Sequence, residues 1–174
     1  MEYGVDNVTM HQIAKSAGIG QGTLYRRYAH KGELCQDLMK ESSQDLCGEI
    51  QSYLEHNKNL SIKERLAGAI DICLDFIEVH SQWLSSIQAP TCEGRQSLIY
   101  QAPLYRALHN VFYDLLIEAA LPTIEASRDA TIKTDSFLAS MNPELYLFMR
   151  QERGYTKEEI KISLVSLYMD PVSL

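Results

Sequence analysis

Between Thr9 and Lys31 the sequence sets two short helical patterns on either side of one glycine, and few folds accept that arrangement. Thr9 with Gln12 three residues on has capping-box spacing, so a helix starts there. Ile13, Ala14 and Ala17 give it one apolar side. Gly18 is free to take a positive φ, as a sharp turn between helices requires. A second helix is predicted from Gln21 to Tyr28, with Leu24 and Tyr28 one turn apart on its inner face. Ala14 is small enough to let the two helices cross closely, which makes the stretch a helix-turn-helix. The charges fit contact with nucleic acid. The chain carries a net charge of −7, yet no Asp or Glu lies from Asn7 to Gly32, where Lys15, Arg26, Arg27 and Lys31 are basic. A basic island on an acidic chain suits phosphate contact. The plainer alternative is a helical hairpin with a solvated basic face. Turn, caps, periodicity and charge coincide, and together they favour DNA.

Ile13-Ala14, Ala17-Gly18-Ile19, Gly22-Thr23-Leu24-Tyr25, the aromatic Tyr28 and Lys31 resemble the TetR/AcrR family of bacterial transcriptional regulators. The specific part of the likeness runs from Tyr3 to about Leu38, and beyond it only the layout of an all-helical body is shared. The resemblance implies a homodimer on double-stranded operator DNA that lets go when a small ligand enters the body. Carried over by position, Gln21, Thr23 and Arg26 would face base edges or nearby backbone, and Tyr25 and Lys31 would contact phosphates. Thr9 and Arg27 complete the expected DNA-binding set. Two positions depart from the pattern. Gly20 stands where the family commonly has Ser or Thr, a poorer helix cap by roughly a few tenths of a kcal/mol, and Tyr28 replaces the usual Phe. The family also places an amphipathic helix before the motif, whose last turn would be Glu2-Tyr3-Gly4. That first helix is therefore expected to be missing, leaving Ile13, Ala14, Leu24 and Tyr28 with less cover. The expected domains are a DNA-binding unit over 1–40, lacking its first helix, and a ligand-binding and dimerisation body over 41–174.

The rest of the chain bounds the alternatives. With 45% hydrophobic and 22% charged residues, 174 residues can bury a sizeable core. No apolar run reaches membrane length and no leader is recognisable, so a soluble, cytoplasmic protein without a membrane partner is expected. Cys35, Cys47, Cys73 and Cys92 form no CxxC pair and read as small buried hydrophobes. Nothing reads as strand, so the fold class is all-α. A long helix from about Gly32 to Glu55 should link the motif to the body, its stripe being Leu34, Leu38, Leu46, Ile50 and Leu54. Ser61 and Glu64 open a helix to about His80, and a shorter segment holds Trp83, Leu84 and Ile87. After a loop at Ala89 to Gly94, another helix is expected from Ser97 to Ala120, with Pro103 in its first turns. Leu121 to Thr134 is ambiguous. Pro143 starts a helix ending near Gly154, and Thr156 with Glu159 caps a last one running to Met169.

Phe76, His80, Trp83, Tyr100, Tyr105, His109, Phe112 and Tyr113 recur at helical spacing. They either pack as ordinary core or line a ligand pocket, and a ligand held there would be aromatic or amphipathic. No histidine pair has metal-ligand spacing, and no metal or other cofactor is expected. Leu145, Phe148, Met149, Ile160, Leu164, Leu167 and Tyr168 offer more apolar surface than one side of two helices needs. They either close the monomer or join a four-helix bundle with a second copy; a helix-turn-helix that reads two half-sites favours the homodimer. There is no nucleophile elbow and no phosphate loop, so an enzyme is not expected. The leading expectation is a ligand-responsive transcriptional repressor released from its operator by a small molecule. The alternative is a small-molecule-binding helical protein with impaired DNA binding because the first helix is absent. A lesser one is a helical module whose basic hairpin binds an acidic partner.

Overall fold

The computed structural model describes residues 8–88, 100, 102–119 and 124–169. Among these residues the regular elements are helices: α1 (Met10–Ser16), α2 (Gln21–Arg27), α3 (Lys31–Leu38), α4 (Lys40–His56), α5 (Ile62–Gln88), α6 (Pro103–Ala119), α7 (Ile124–Ser140), α8 (Pro143–Gln151) and α9 (Lys157–Met169). None of the described helices is long and apolar enough to cross a membrane. The turn expected before the motif at Glu2-Tyr3-Gly4, the loop at 89–94, Cys92 and the start of a helix at Ser97 lie outside the described residues.

The helix starts follow local chemistry. All three capping boxes form. The amide of Gln12 donates to Thr9 Oγ1 at 3.2 Å while the Thr9 amide donates to Gln12 Oε1 at 2.8 Å. Ser61 with Glu64 and Thr156 with Glu159 repeat the exchange. Asn142 caps α8 by accepting from the amides of Glu144 and Leu145, with Pro143 at the first helical position. Gly18 takes φ +66°, which supplies the turn between α1 and α2.

Two separate cores form. Met10, Ala14, Leu24 and Leu34 close a small one, with Ile13 and Tyr28 packed against it. The large one is built around α5, whose Leu66, Ala69, Ile70 and Leu74 are almost fully buried; α3, α4, α6, α8 and α9 pack on it. Polar ties fix these helices. Lys157 of α9 reaches Asp75 at 2.7 Å and Asp71 at 3.1 Å. Tyr146 and Arg150 of α8 both donate to Glu78 Oε1, at 2.6 and 3.0 Å. Arg65 meets Glu118 of α6 at 2.7 Å. Helix α4 packs tightly on α5 at Gly68, where the ring of Tyr53 fills the space a Cβ would need and its hydroxyl donates to the Glu64 carbonyl at 3.3 Å.

Several expectations need correction. The long linking helix from Gly32 to Glu55 is two helices, interrupted at Met39, whose ψ of −1° is far from the helical value of about −42°. The reason is competition between the cores. Leu34 belongs to the small core and Met39 to the large one, and the turn lets both be buried. As a result Leu38, expected in the buried stripe, is 59% exposed. The break expected after His80 is absent, and α5 runs through to Gln88, carrying half-buried Trp83 and buried Leu84 along its inner side. Pro103 is the first residue of α6 rather than a residue within its first turns. The stretch left ambiguous up to Thr134 lies largely in α7. Its buried face is Ala130, Thr134 and Phe137, and the Thr134 hydroxyl is satisfied by donating to the Ala130 carbonyl at 2.7 Å. Ala17, expected on the apolar side of α1, is exposed, and Met10 takes the buried place.

Candidate nucleic-acid interface

Helix α2 is held by one side and offers the others. Leu24, 5% exposed, plugs into the small core, and Tyr28 packs beside it. Gln21, Thr23, Tyr25, Arg26 and Arg27 are exposed along the same short helix. Its N-cap is Gly20, with no side-chain cap hydrogen bond. The side chains are nonetheless arranged. The Arg26 guanidinium donates to Thr23 Oγ1 at 3.1 Å, so one exposed turn presents a hydroxyl and a guanidinium together. Gln21 Oε1 lies 3.1 Å from His11 Nδ1 on α1.

The far end of α2 is clamped to α3. Tyr28 donates to Asp37 Oδ2 at 2.5 Å, which holds the Asp37 carboxyl below the ordinary carboxylate range. Arg27 lies 3.5 Å from the same carboxylate and 5.4 Å from the centre of the Tyr28 ring. Arg27 is thus partly neutralised within the chain, although its side chain stays 74% exposed. Helix α3 starts on a histidine cap. The Glu33 amide donates to His30 Nδ1 at 3.3 Å, and Glu33 Oε2 accepts from the Ala29 amide at 2.6 Å. Lys31 follows, half-buried, at the first position of α3. Thr9 is exposed and engaged in its capping box. Met10, His11, His30 and Asp37 were not singled out from the sequence. Asp37 and His11 act across helix boundaries, which no local spacing reveals.

The aromatic set divides between places. Phe76 and His80 of α5 lie 4.4 Å apart, ring centre to ring centre, and line a groove of about 270 Å³ against α4. Ser42, Asp45, Leu46, Glu49, Ile72, Asp75 and Val79 complete its walls. Tyr100, ahead of α6, and Tyr105, His109 and Tyr113 along it form a ladder, with neighbouring rings 5.3, 6.3 and 6.0 Å apart. Asp135 of α7 holds that ladder: it accepts from the Tyr105 hydroxyl at 2.6 Å and lies 3.5 Å from His109 Nε2. Trp83 packs half-buried on the large core. Phe112 is fully buried against Phe137, 4.7 Å away. Among the described residues no three His, Cys, Asp or Glu side chains gather as a metal cluster.

The apolar residues of α8 and α9 also separate. Ile160 and Leu164 are buried in the chain's own core, and Met149 and Tyr168 pack half-buried against it. Leu145, Phe148 and Leu167 stay exposed, together with Ile162.

Among the described residues, an anchored, basic two-helix head sits on a helical body, the arrangement of a helix-turn-helix DNA-binding protein. Residues 1–38 match the family model for bacterial regulatory proteins of the tetR family. Across nearly the whole chain it is similar to HTH-type transcriptional regulators of Staphylococcus aureus strains USA300 and NCTC 8325. Each is 29% identical over 179 aligned positions, covering 98% of this chain and 86% of the relative. One from strain MRSA252 is 28% identical over 178 positions with the same coverage. No solved structure matches the chain. The matched residues 1–38 contain the helix-turn-helix, and over its length the chain is similar to transcriptional regulators built on that motif.

Proposed function

We propose that the protein is a cytoplasmic repressor that holds palindromic operator DNA as a homodimer and releases it when a small molecule binds the body. The observation that carries the reading is α2 itself: Leu24 fixes it from behind while Gln21, Thr23, Tyr25 and Arg26 stand exposed. Gln21, Thr23 and Arg26 read base edges in the major groove, while Tyr25, Arg27 and Lys31 contact phosphates. Thr9 holds the start of α1 in place through its cap. The reading head spans about 1–40 and the body 41–174. The dimer forms through the exposed apolar side chains of α8 and α9, which places two copies of α2 about 34–36 Å apart for successive major grooves.

The effector is aromatic or amphipathic. Phe76 and His80 already border a groove between α4 and α5, so a ligand wedged there separates the two helices. Trp83 and the Tyr105–His109–Tyr113 ladder stand apart from the walls of that groove. Because α3 and α4 are distinct helices, the displacement reaches the head through the turn at Met39, not through one rigid rod. By linkage, ligand weakens DNA binding by the factor by which DNA weakens ligand binding.

The test is titration of the protein against duplexes from its own regulatory region across a range of salt. A repressor selects a palindrome, and its affinity falls steeply with salt. A chain that binds every duplex equally, or none, refutes the operator reading. Phe76→Ala should change the ligand response while leaving ligand-free DNA affinity nearly unaltered. Joint loss of DNA binding and thermal stability would make Phe76 part of the core alone.

A further inference from the structure

We infer that His11 is a positioning residue for sequence recognition: by holding Gln21 Oε1, it makes Gln21 a hydrogen-bond donor toward DNA and biases it to guanine over adenine. The inference rests on the reading of α2 as the recognition helix. It begins with one contact, His11 Nδ1 to Gln21 Oε1 at 3.1 Å. A carboxamide oxygen can only accept, so the ring nitrogen carries the proton and donates. His11 is the second residue of α1, a helix whose start is fixed by the Thr9–Gln12 capping box. Gln21 is the first residue of α2. The contact therefore spans the turn at Gly18 and ties the first exposed side chain of one helix to the first turn of the other.

The consequence is chemical. A glutamine reads adenine by giving an N–H to N7 and taking one from N6, which needs both Oε1 and Nε2 in the plane of the base. With Oε1 drawn to α1, the end left uncommitted is Nε2, which has two hydrogens to give. Guanine presents two neighbouring acceptors in the major groove, N7 and O6. Adenine presents an acceptor and a donor. To pair with it, Gln21 must give up His11 or share its second lone pair at poorer geometry. The neighbouring groups do not compete for Gln21: Gln12 is engaged in its capping box, and Arg26 donates to Thr23.

The experiment is selection from duplexes with randomised half-sites, using the full chain and its His11→Ala, His11→Asn and Gln21→Ala variants. Thermal denaturation and the salt dependence of binding to a fixed duplex are measured alongside. The wild-type chain should favour guanine over adenine about tenfold at one symmetric pair of positions, the worth of a modest base contact. Gln21→Ala should erase the preference at that pair, which identifies it. His11→Ala should shift that same pair toward adenine by about tenfold, with melting temperature and salt slope unchanged. His11→Asn places an amide N–H near the site of Nδ1 and should restore the guanine preference. An unchanged preference in His11→Ala overturns the inference, as does a shift that Asn fails to restore or an adenine preference in the wild type. A wild-type chain that selects no sequence fails the DNA-reading proposal itself, an outcome separate from the others.

Discussion

Leu167→Glu and Leu164→Glu place the same charge three residues apart on α9, and the two should fail in different ways. In the single chain Leu164 is 7% exposed and Leu167 is 65% exposed. At Leu164 the substitution removes a packed side chain, worth about 2–5 kcal/mol when truncated, and adds an unpaired buried carboxylate at several kcal/mol more. That total rivals the whole stability of a domain, about 5–15 kcal/mol. Leu164→Glu should therefore lose helical signal and melt far below the wild type. At Leu167 the monomer should hardly notice, since exposed substitutions usually change stability by about 0.5 kcal/mol or less. The dimer should notice twice. Covering a leucine contributes about 1–2 kcal/mol, and a two-fold axis brings two copies to the interface, so about 2–4 kcal/mol is lost before any cost of desolvating the carboxylate. At 1.4 kcal/mol per tenfold, the dimer weakens on the order of a hundredfold. Light scattering at micromolar concentration should show monomers with wild-type circular dichroism. Binding to a palindromic duplex should drop to the level of a single half-site. A Leu167→Glu protein that remains dimeric, or a Leu164→Glu protein that is folded and merely monomeric, would refute the division of α9 into a core side and a partner side.

Lys31→Ala should weaken all duplexes alike and lower the salt slope by about 1, whereas Arg26→Ala should cost about 1–3 kcal/mol at one base pair and little elsewhere, both read by fluorescence anisotropy on a panel of duplexes. Gly18→Ala should destabilise the head by about 1–2 kcal/mol through its φ of +66°; nothing beyond the adjoining chain lies within 4 Å of the added methyl, so Gly18→Asn should cost less, and thermal melts separate the two. Glu78 is held below the ordinary glutamate range by the Tyr146 hydrogen bond first and by Arg150 next. Its contribution is full above the unfolded glutamate value of about 4.3 and disappears as pH falls through the lower folded value. Melting temperature should fall on acidification through that window, and Tyr146→Phe should reduce this fall; an equal acid response in both proteins would refute the assignment.

What could be read along the chain was what is local in the chain. The capping boxes at Thr9, Ser61 and Thr156 each depend on residues three apart, so their sequence spacing is their geometry. The exposure of Gln21, Thr23 and Arg26 follows similarly from their placement around a helix anchored by Leu24. The break at Met39 has no glycine or proline to announce it. An every-fourth-residue stripe drifts about 40° per step around a helix, so Leu34 to Leu54 could never share one face, and the two cores divide them. Helix α7 stayed hidden because a threonine sits in its buried face and satisfies itself on the preceding turn. Asp37 and His11 join the site from neighbouring helices, at nine and ten residues from their partners, where only the turn geometry brings them close.

The division into two cores has a consequence for how the molecule breathes. Among the described residues four buried side chains hold the small core, against eighteen in the large one. Local opening free energy follows buried apolar contact, so α1 and α2 form a separate low-stability foldon, able to open while α5 remains closed. Their amides should exchange with solvent well before those at the centre of α5. Operator DNA that binds only the closed head adds its binding free energy to that foldon alone. Bound operator would then register as slowed exchange in α1 and α2, with exchange along α5 left as it was.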